Sequence, residues 1–220
     1  MDTKYYIANW KSHKTKDEAI AFFEHLTANI SESDIKNKEI VIAPPMTLLA
    51  KCRYLVDKNN LPVSLSAQNV SSFPEGAYTG EVNAKQVKEF AKYVIIGHSE
   101  RRKYLHESEA DIENKVREAH ENGLTVIQCI QDENGVVHNG VEIVAYEPPS
   151  AIGTGNPDTP EHIAQVFDVI TSQNPSVKVL YGGSVNVDSI KSFLQIEKLG
   201  GFLIGGASLD AATFLSLLSW

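Results

Sequence analysis

The chain has 220 residues, of which 42% are hydrophobic, 8% aromatic and 22% charged, and these fractions exclude a disordered, collagen-like or coiled-coil protein. A net charge of −8 disfavours nucleic-acid binding, and no apolar run approaches the roughly 18 residues that a membrane span needs. The sequence contains two cysteines and its first residues lack the apolar core of a secretory signal, so we expect a protein of the cytoplasm.

Eight short apolar runs predict β-strands distributed along the whole chain. Most of these runs are continuously apolar rather than alternating, which is typical of strands that are covered on both faces. In chain order, the predicted strands are residues 5–8, 40–43, 63–67, 93–96, 125–130, 143–146, 177–181 and 201–204.

Helical periodicity fills most of the segments between these strands. Gly123 is placed to end the helix of residues 112–119, Thr159 followed by Pro160 is a typical start for that of residues 163–170, and Asn186 can cap that of residues 190–194. Apolar residues recur at helical spacing in residues 19–30, 48–56, 112–119, 163–170 and 190–194, and a last helix is predicted for residues 209–218.

This alternation of strands and helices predicts a parallel sheet with right-handed crossovers. Eight strands in a chain of this length predict an α/β fold, a single-domain (β/α)8 barrel near the small end of its size range. Residues 131–140 contain turn formers and are barely long enough for a crossover. We therefore expect the fifth helix to be missing, which would expose apolar strand surface unless neighbouring helices shift or a partner subunit covers it.

Polar and glycine-rich segments follow the carboxyl ends of the predicted strands, where a barrel of this kind carries its reactive groups. They read Ala-Asn-Trp-Lys (8–11), Tyr-Val-Ile-Ile-Gly-His-Ser-Glu-Arg-Arg (93–102), Ala-Tyr-Glu-Pro (145–148), Ala-Ile-Gly-Thr-Gly (151–155), Tyr-Gly-Gly-Ser-Val (181–185) and Gly-Phe-Leu-Ile-Gly-Gly-Ala-Ser-Leu (201–209). In this order, and over nearly the whole chain, these segments closely resemble the triosephosphate isomerase family. The resemblance implies a TIM barrel without cofactor or metal that interconverts dihydroxyacetone phosphate and D-glyceraldehyde 3-phosphate in glycolysis and gluconeogenesis.

Four side chains in these segments match the reacting groups of the family. The resemblance implies that Glu147 moves a proton between adjacent substrate carbons, which a carboxylate can do if lid closure excludes water and raises its pKa. His98 would polarise the carbonyl oxygen, because the start of a helix keeps its ring neutral. Lys11 would attract the phosphate and, with the amide of Asn9, stabilise negative charge on the reacting oxygens.

The remaining site residues follow from the same resemblance. Ser99 and Glu100 match groups that support the base and the lysine. Backbone N–H groups at glycine-rich turns can reach an anion without obstruction, and the positions that match the phosphate site are Gly153, Ser184, Gly205 and Gly206. Residues 148–155 resemble a mobile lid, and the lid and latch positions are Pro148, Ile152, Thr154, Tyr181 and Leu203.

The other six histidines are interpreted as structural. None of them follows a predicted strand in a matching motif, and no metal-ligand spacing connects them. They are His13, His25, His106, His120, His138 and His162.

Two segments depart from the pattern of the family. Pro149-Ser150 replace the usual apolar residue and tryptophan of the lid hinge, and Gln131-Asp132 replace the usual Gly-Glu beside the missing helix. We expect the altered hinge to change how fast or how completely the lid closes without removing a reacting group.

Residues 73–81 match the loop that enters the neighbouring subunit in this family. There Thr79 would approach residues 9–11 of the partner subunit. The resemblance therefore implies a homodimer, with a tetramer also possible.

Two other functions stay open on the sequence alone. A catalytically inactive barrel that binds a phosphorylated metabolite fits the missing helix and the altered hinge, but the retention of all four reacting side chains disfavours it. An aldose–ketose isomerase acting on a larger sugar phosphate is disfavoured by the sequence of the lid.

Overall fold

The computed structural model describes residues 3–154 and 156–220, in which eight parallel strands form a closed barrel. The strands are β1 (Lys4–Asn9), β2 (Lys38–Ala43), β3 (Ser64–Ala67), β4 (Tyr93–Ile96), β5 (Thr125–Ile130), β6 (Ile143–Tyr146), β7 (Lys178–Tyr181) and β8 (Leu199–Ile204). Each strand pairs with the next, and β8 closes the barrel against β1. The predicted (β/α)8 class is confirmed, and every predicted strand end lies within about two residues of the observed one, the usual uncertainty of strand and helix boundaries.

Helices surround the barrel, and several of them begin directly after a residue whose side chain caps the first turn, such as Thr15, Ser108 and Thr159. The helices are α1 (Lys16–Asn29), α2 (Glu32–Ile35), α3 (Leu49–Lys58), α4 (Ala84–Lys88), α5 (Ser99–Leu105), α6 (Glu109–Glu121), α7 (Pro160–Gln173), α8 (Ile190–Phe193) and α9 (Ala211–Leu218). The last helix starts later than predicted because residues 206–208 form a short 3-10 helix and Asp210 then caps α9 by accepting from the N–H of Thr213. None of the helices in the described part of the chain is long and apolar enough to cross a membrane.

Apolar side chains pack on both faces of the barrel wall. In β1, the side chain of Ile7 belongs to the cluster inside the barrel, whereas Tyr6 and Ala8 belong to the cluster between the strands and the helices. This alternation is the two-residue period of a strand, and it explains why the strand sequences are continuously apolar. The carboxyl ends of all eight strands meet at one end of the barrel. The polar segments that follow the strands therefore lie close to one another at that end.

The chain between β5 and β6 is a loop without a helix, as the sequence predicts. The expectation that this loss exposes the apolar surface of the two strands is wrong. The side chains on their outer face, Val126, Ile130, Val144 and Tyr146, are each no more than 3% exposed.

The loop itself covers this surface because Gln128 holds it against β5. The side chain of Gln128 is fully buried, donates from Nε2 to the carbonyl of Val136 (2.6 Å) and accepts at Oε1 from the N–H of His138 (3.1 Å). Gly135 approaches Ile130 so closely that a Cβ at position 135 would lie 2.8 Å from the Cβ of Ile130. A buried side-chain amide and a tight glycine contact thus replace the packing that a fifth helix would supply.

Candidate active site

A cavity of about 280 Å³ opens at the carboxyl ends of the strands and gathers segments that follow β1, β4, β6, β7 and β8. All four predicted reacting side chains line it. The predicted residues in its wall are Asn9, Lys11, His98, Glu147, Ile152, Gly153, Ser184, Leu203, Gly205 and Gly206. The other predicted residues, Ser99, Glu100, Pro148, Thr154 and Tyr181, are not part of this wall, and Gly155 lies outside the described residues.

Glu147 is buried directly after β6 and faces His98 across the barrel mouth. Its Oε1 lies 2.9 Å from Nε2 of His98, and its Oε2 accepts a hydrogen bond from the N–H of Ser99 (3.2 Å). A Cβ at Gly182 would lie 3.0 Å from Cγ of Glu147, so the residue after β7 must be small for the carboxylate to occupy this position.

The hydrogen bonds of His98 assign the position of its proton. His98 precedes the first residue of α5, and its Nδ1 accepts from the N–H of Glu100 (3.2 Å), as expected for a side chain that caps a helix. Nδ1 is therefore the unprotonated nitrogen, and Nε2 carries the proton that faces Glu147. This arrangement agrees with the prediction that His98 opens a short helix.

The pKa values of the two groups respond to each other. Burial lowers the pKa of His98, but the carboxylates of Glu147 and Glu100 raise it, and the net direction is upward. Burial raises the pKa of Glu147, but His98 and the N–H of Ser99 lower it, and the net direction is downward. Protonating Nδ1 would break the bond from Glu100, so the neutral ring is the form that satisfies both contacts of His98. The pKa of Glu147 is therefore lowered rather than raised as expected, because His98 and the N–H of Ser99 both contact its carboxylate.

Lys11 lies in the cavity wall, and both its N–H and its carbonyl are hydrogen-bonded to side chains. Its N–H donates to Oδ1 of Asn9 (3.1 Å), and its carbonyl accepts from Nε2 of Gln68 (2.9 Å). Its Nζ lies 2.6 Å from Oε1 of Glu100, the contact that the resemblance implies for that glutamate. A Cβ at Gly205 would lie 3.3 Å from Cε of Lys11, so glycine there leaves room for the lysine side chain.

The barrel holds the predicted lid by one hydrogen bond and the chain just after the lid by another. The hydroxyl of Ser184 donates to the carbonyl of Ala151 within the lid. The hydroxyl of Tyr181 accepts from the N–H of Asp158 (2.8 Å), which lies after the predicted end of the lid at residue 155. Inside the lid, the hydroxyl of Thr154 donates to the carbonyl of Ser150 (3.2 Å), which makes the segment a compact turn.

Sequence reasoning assigned no site role to several residues that contribute to the cavity. Its wall also includes Gly182, Val185 and Ala207, which lie within the matching motifs, and Asn186. Asn186 was predicted to cap the helix near residue 190, but the cap position of α8 is held by Ser189. The Oδ1 of Asn186 instead accepts from the N–H of Ser189 (2.9 Å) in the turn before the helix. Gln68 could have been noticed as a polar residue directly after an apolar strand.

The cavity wall combines a positive charge, a carboxylate and a histidine N–H, supplied by Lys11, Glu147 and His98. Lys11 is the lysine in the cavity wall, and Glu100 partly balances its charge. Within residues 3–154 and 156–220, no group of three or more His, Cys, Asp and Glu side chains is arranged to hold a metal ion. The chemistry that the arrangement supports is therefore proton transfer by a carboxylate beside a hydrogen-bond donor, next to an anion.

Comparisons with known proteins point to the same chemistry. Residues 4–220 match the family model described as triosephosphate isomerase. The triosephosphate isomerase of Thermodesulfovibrio yellowstonii is 37% identical over the full length of both chains. That of Mesomycoplasma hyorhinis is 35% identical and covers 97% of this chain and 96% of its own, and that of Clostridium tetani is 34% identical over 96% and 94%. With its barrel, its gathered polar segments and these relatives, the chain belongs to the triosephosphate isomerase family.

Proposed function

We propose that Glu147, His98, Lys11 and Asn9 are the groups with which this isomerase interconverts dihydroxyacetone phosphate and D-glyceraldehyde 3-phosphate. The observation that carries the proposal is the 2.9 Å contact between Glu147 and His98 in the wall of one small cavity. A base and a hydrogen-bond donor held side by side can act on neighbouring atoms of one substrate, the first on a C–H group and the second on a carbonyl oxygen.

Substrate binding itself makes Glu147 a stronger base. A carbonyl oxygen that accepts from Nε2–H of His98 replaces the carboxylate in that contact. Glu147 then loses an interaction that lowers its pKa, whereas burial, which raises the pKa, remains. His98 likewise loses the carboxylate that raises its pKa, so its ring stays neutral and acts as a donor.

The proton transfer then follows without any further group. Glu147 takes a proton from the carbon next to the carbonyl, and the electrons of the C–H bond form the double bond of an enediolate. The charge that develops on the oxygens lies beside Nε2–H of His98, the amide of Asn9 and the ammonium of Lys11. The proton of the substrate's hydroxyl group must also pass to the former carbonyl oxygen, which His98 mediates by donating its Nε2 proton to one oxygen and recovering a proton from the other. Glu147 then gives its proton to the neighbouring carbon, and the oxygen that has lost its proton becomes the new carbonyl oxygen.

The phosphate of the substrate is assigned to the glycine-rich side of the cavity. Gly153, Ser184, Gly205 and Gly206 line this side, where short loops after the last three strands can direct backbone N–H groups at an anion. Lys11 supplies a local positive charge in a chain whose net charge is −8. The glycine loops and Lys11 together provide the attraction for an anion that the whole molecule lacks.

The size of the cavity supports a small substrate. A volume of about 280 Å³ is at the lower end for small-molecule sites, which disfavours an isomerase of larger sugar phosphates. No observation favours an inactive metabolite-binding barrel, since the base, the donor and the lysine all line the same cavity.

The decisive experiment is a coupled assay of triose phosphate interconversion on the wild type and on Glu147→Gln. Removing the general base should lower kcat by about 10²–10⁴-fold or more. Glu24→Gln, on the exposed side of α1, is the matched control and should keep full activity. Equal and negligible turnover by wild type and Glu147→Gln would contradict the proposal and favour a binding function.

We also propose that the chain is a homodimer of the cytoplasm. Phe73 and Tyr78 are exposed and stacked in the protruding loop of residues 73–81, with ring centroids 4.4 Å apart. A second cavity of about 490 Å³ adjoins Lys11 and Glu100 and could receive this loop from another copy. Both cysteines are buried and unpaired, which suits a reducing compartment.

Sedimentation of the purified chain at micromolar concentration tests the homodimer. Each chain has a mass of 24.2 kDa, and we expect a species of twice that mass. Tyr78→Lys should shift this species toward monomer, because it places a charge in the stacked pair. A monomeric mass for the wild type would refute the homodimer, and a fourfold mass would favour the tetramer.

A further inference from the structure

The segment that follows the lid is organised around Asp158. Its N–H donates to the hydroxyl of Tyr181 (2.8 Å), whose side chain is fully buried. One carboxylate oxygen, Oδ1, accepts from the N–H of Thr159 (2.8 Å), and the other, Oδ2, lies 2.6 Å from Nδ1 of His162. The Asp158 side chain is 17% exposed and that of His162 is 53% exposed, so the contact lies at the surface and acts by fixing a direction rather than by contributing much stability.

Two prolines restrict the backbone around this cluster. Pro157 fixes its own φ, and Pro160 limits Thr159 to an extended conformation, which is observed with φ −76° and ψ 144°. The chain on both sides of Asp158 is therefore stiff. A contact made by the carboxylate of Asp158 consequently also fixes the direction of its N–H.

Helix capping does not explain the carboxylate of Asp158. The first turn of α7 is already capped by the hydroxyl of Thr159, which accepts from the N–H of His162 (3.3 Å). The side-chain contact between Asp158 and His162 is additional to this cap. Neither residue lines the cavity, so the pair does not act on the substrate directly.

We propose that Asp158 and His162 form a positioning pair that holds the carboxyl end of the lid on Tyr181, so that the lid closes fully over the reacting substrate. Ser184 holds the lid at Ala151, and the pair holds the chain where the lid ends. This inference rests on the proposed function of the cavity. It gives His162, which the sequence suggests is only structural, a role in the reaction.

Incomplete closure has a measurable chemical consequence. An enediolate that is not enclosed can expel its phosphate: the C–O bond to the phosphate breaks, and its electron pair leaves with the phosphate group. The amount of inorganic phosphate released per isomerisation therefore reports how well the lid stays closed. A variant that merely folds less well loses turnover but keeps this ratio, because every folded molecule still closes normally.

The test measures this ratio for wild type, Asp158→Ala and His162→Ala. We expect each variant to release about three- to tenfold more phosphate per isomerisation, the effect of losing one hydrogen bond. His162→Gln keeps an N–H donor and should return the ratio toward wild type. Gln165→Ala, at an exposed position of α7, is the matched control and should leave the ratio unchanged.

The double variant shows whether the two residues act as a pair. Its ratio should equal that of the single variants, whereas a multiplied effect would overturn the pair as one unit. An unchanged ratio in both single variants, with thermal unfolding confirming that they are folded, would overturn the proposal. Failure of the proposed function is distinguishable, since it would abolish isomerisation in the wild type as well.

Discussion

Lys11 has a backbone conformation that residues with a side chain rarely adopt, with φ of 52°. Two neighbours maintain it, Asn9 by accepting from its N–H and Gln68 by donating to its carbonyl. Backbone strain of this kind persists where surrounding contacts over-determine the conformation, and it is concentrated at functional sites. The strain at Lys11 has a definite result, because it directs the ammonium into the cavity beside Glu100.

Replacing Lys11 with Met should therefore affect activity far more than stability. The variant keeps the length of the side chain but removes the charge that attracts phosphate, and we expect kcat/KM to fall by about 10²–10³-fold. Urea unfolding should change by no more than about 1 kcal/mol, since the partly exposed pair with Glu100 contributes little. Lys58→Met, on the exposed side of α3, is the control, and equal activity of the two variants would refute the role of Lys11.

The position of the proposed reacting side chains could be predicted from the sequence, but their contacts with each other could not. Their place after apolar strands puts Glu147 and His98 at one rim of the barrel, and the resemblance to the family is what suggests their roles. The bond from the N–H of Ser99 to Glu147 joins residues 48 positions apart and depends on side-chain rotamers. The low pKa of the resting base is a consequence of such contacts, so sequence motifs alone indicate only the pKa expected after closure.

At the scale of elements, the loop between β5 and β6 shows what a sequence pattern omits. Turn-forming residues and a short connection correctly predict the missing helix. They do not reveal that the loop packs over the outer face of β5 and β6, because Gln128 looks like an isolated polar interruption in an apolar strand. Its partners are backbone groups of Val136 and His138, which any sequence would offer, and the geometry alone brings them within reach.

Gln128→Leu should destabilise the protein without altering the reacting groups. The substitution is close in volume but leaves the carbonyl of Val136 and the N–H of His138 without their buried partner, and we expect a loss of about 2–4 kcal/mol in the free energy of unfolding. Urea unfolding followed by circular dichroism measures this loss. Gln195→Leu, at an exposed position, is the control, and a similar small effect in both would mean that Gln128 does not hold the loop.

At the scale of the whole molecule, the two ends of the barrel have different roles. The carboxyl ends of the strands carry the cavity, whereas Glu39 connects the amino ends of three neighbouring strands. Its Oε1 accepts from Ser64 (2.8 Å), from the hydroxyl of Tyr93 (2.8 Å) and from Nζ of Lys92 (3.1 Å). The residues of the cavity thus lie at one end of the barrel and the stabilising contacts of Glu39 at the other, as is general in this fold.

Glu39→Gln should consequently weaken the fold at neutral pH and leave the turnover of the folded enzyme unchanged. Burial raises the pKa of Glu39, but its three donors lower it below the ordinary value of 4.5, so the unfolded chain binds a proton more readily than the folded one. The stabilisation is therefore present above pH 4.5 and is lost as the pH falls through the lower folded-state pKa. Urea unfolding at a series of pH values should show the difference between wild type and Glu39→Gln shrinking between about pH 5 and pH 3. A difference that stays constant over this range would mean that the three donors do not favour the charged carboxylate, and the amino end of the barrel would then owe its stability to apolar packing alone.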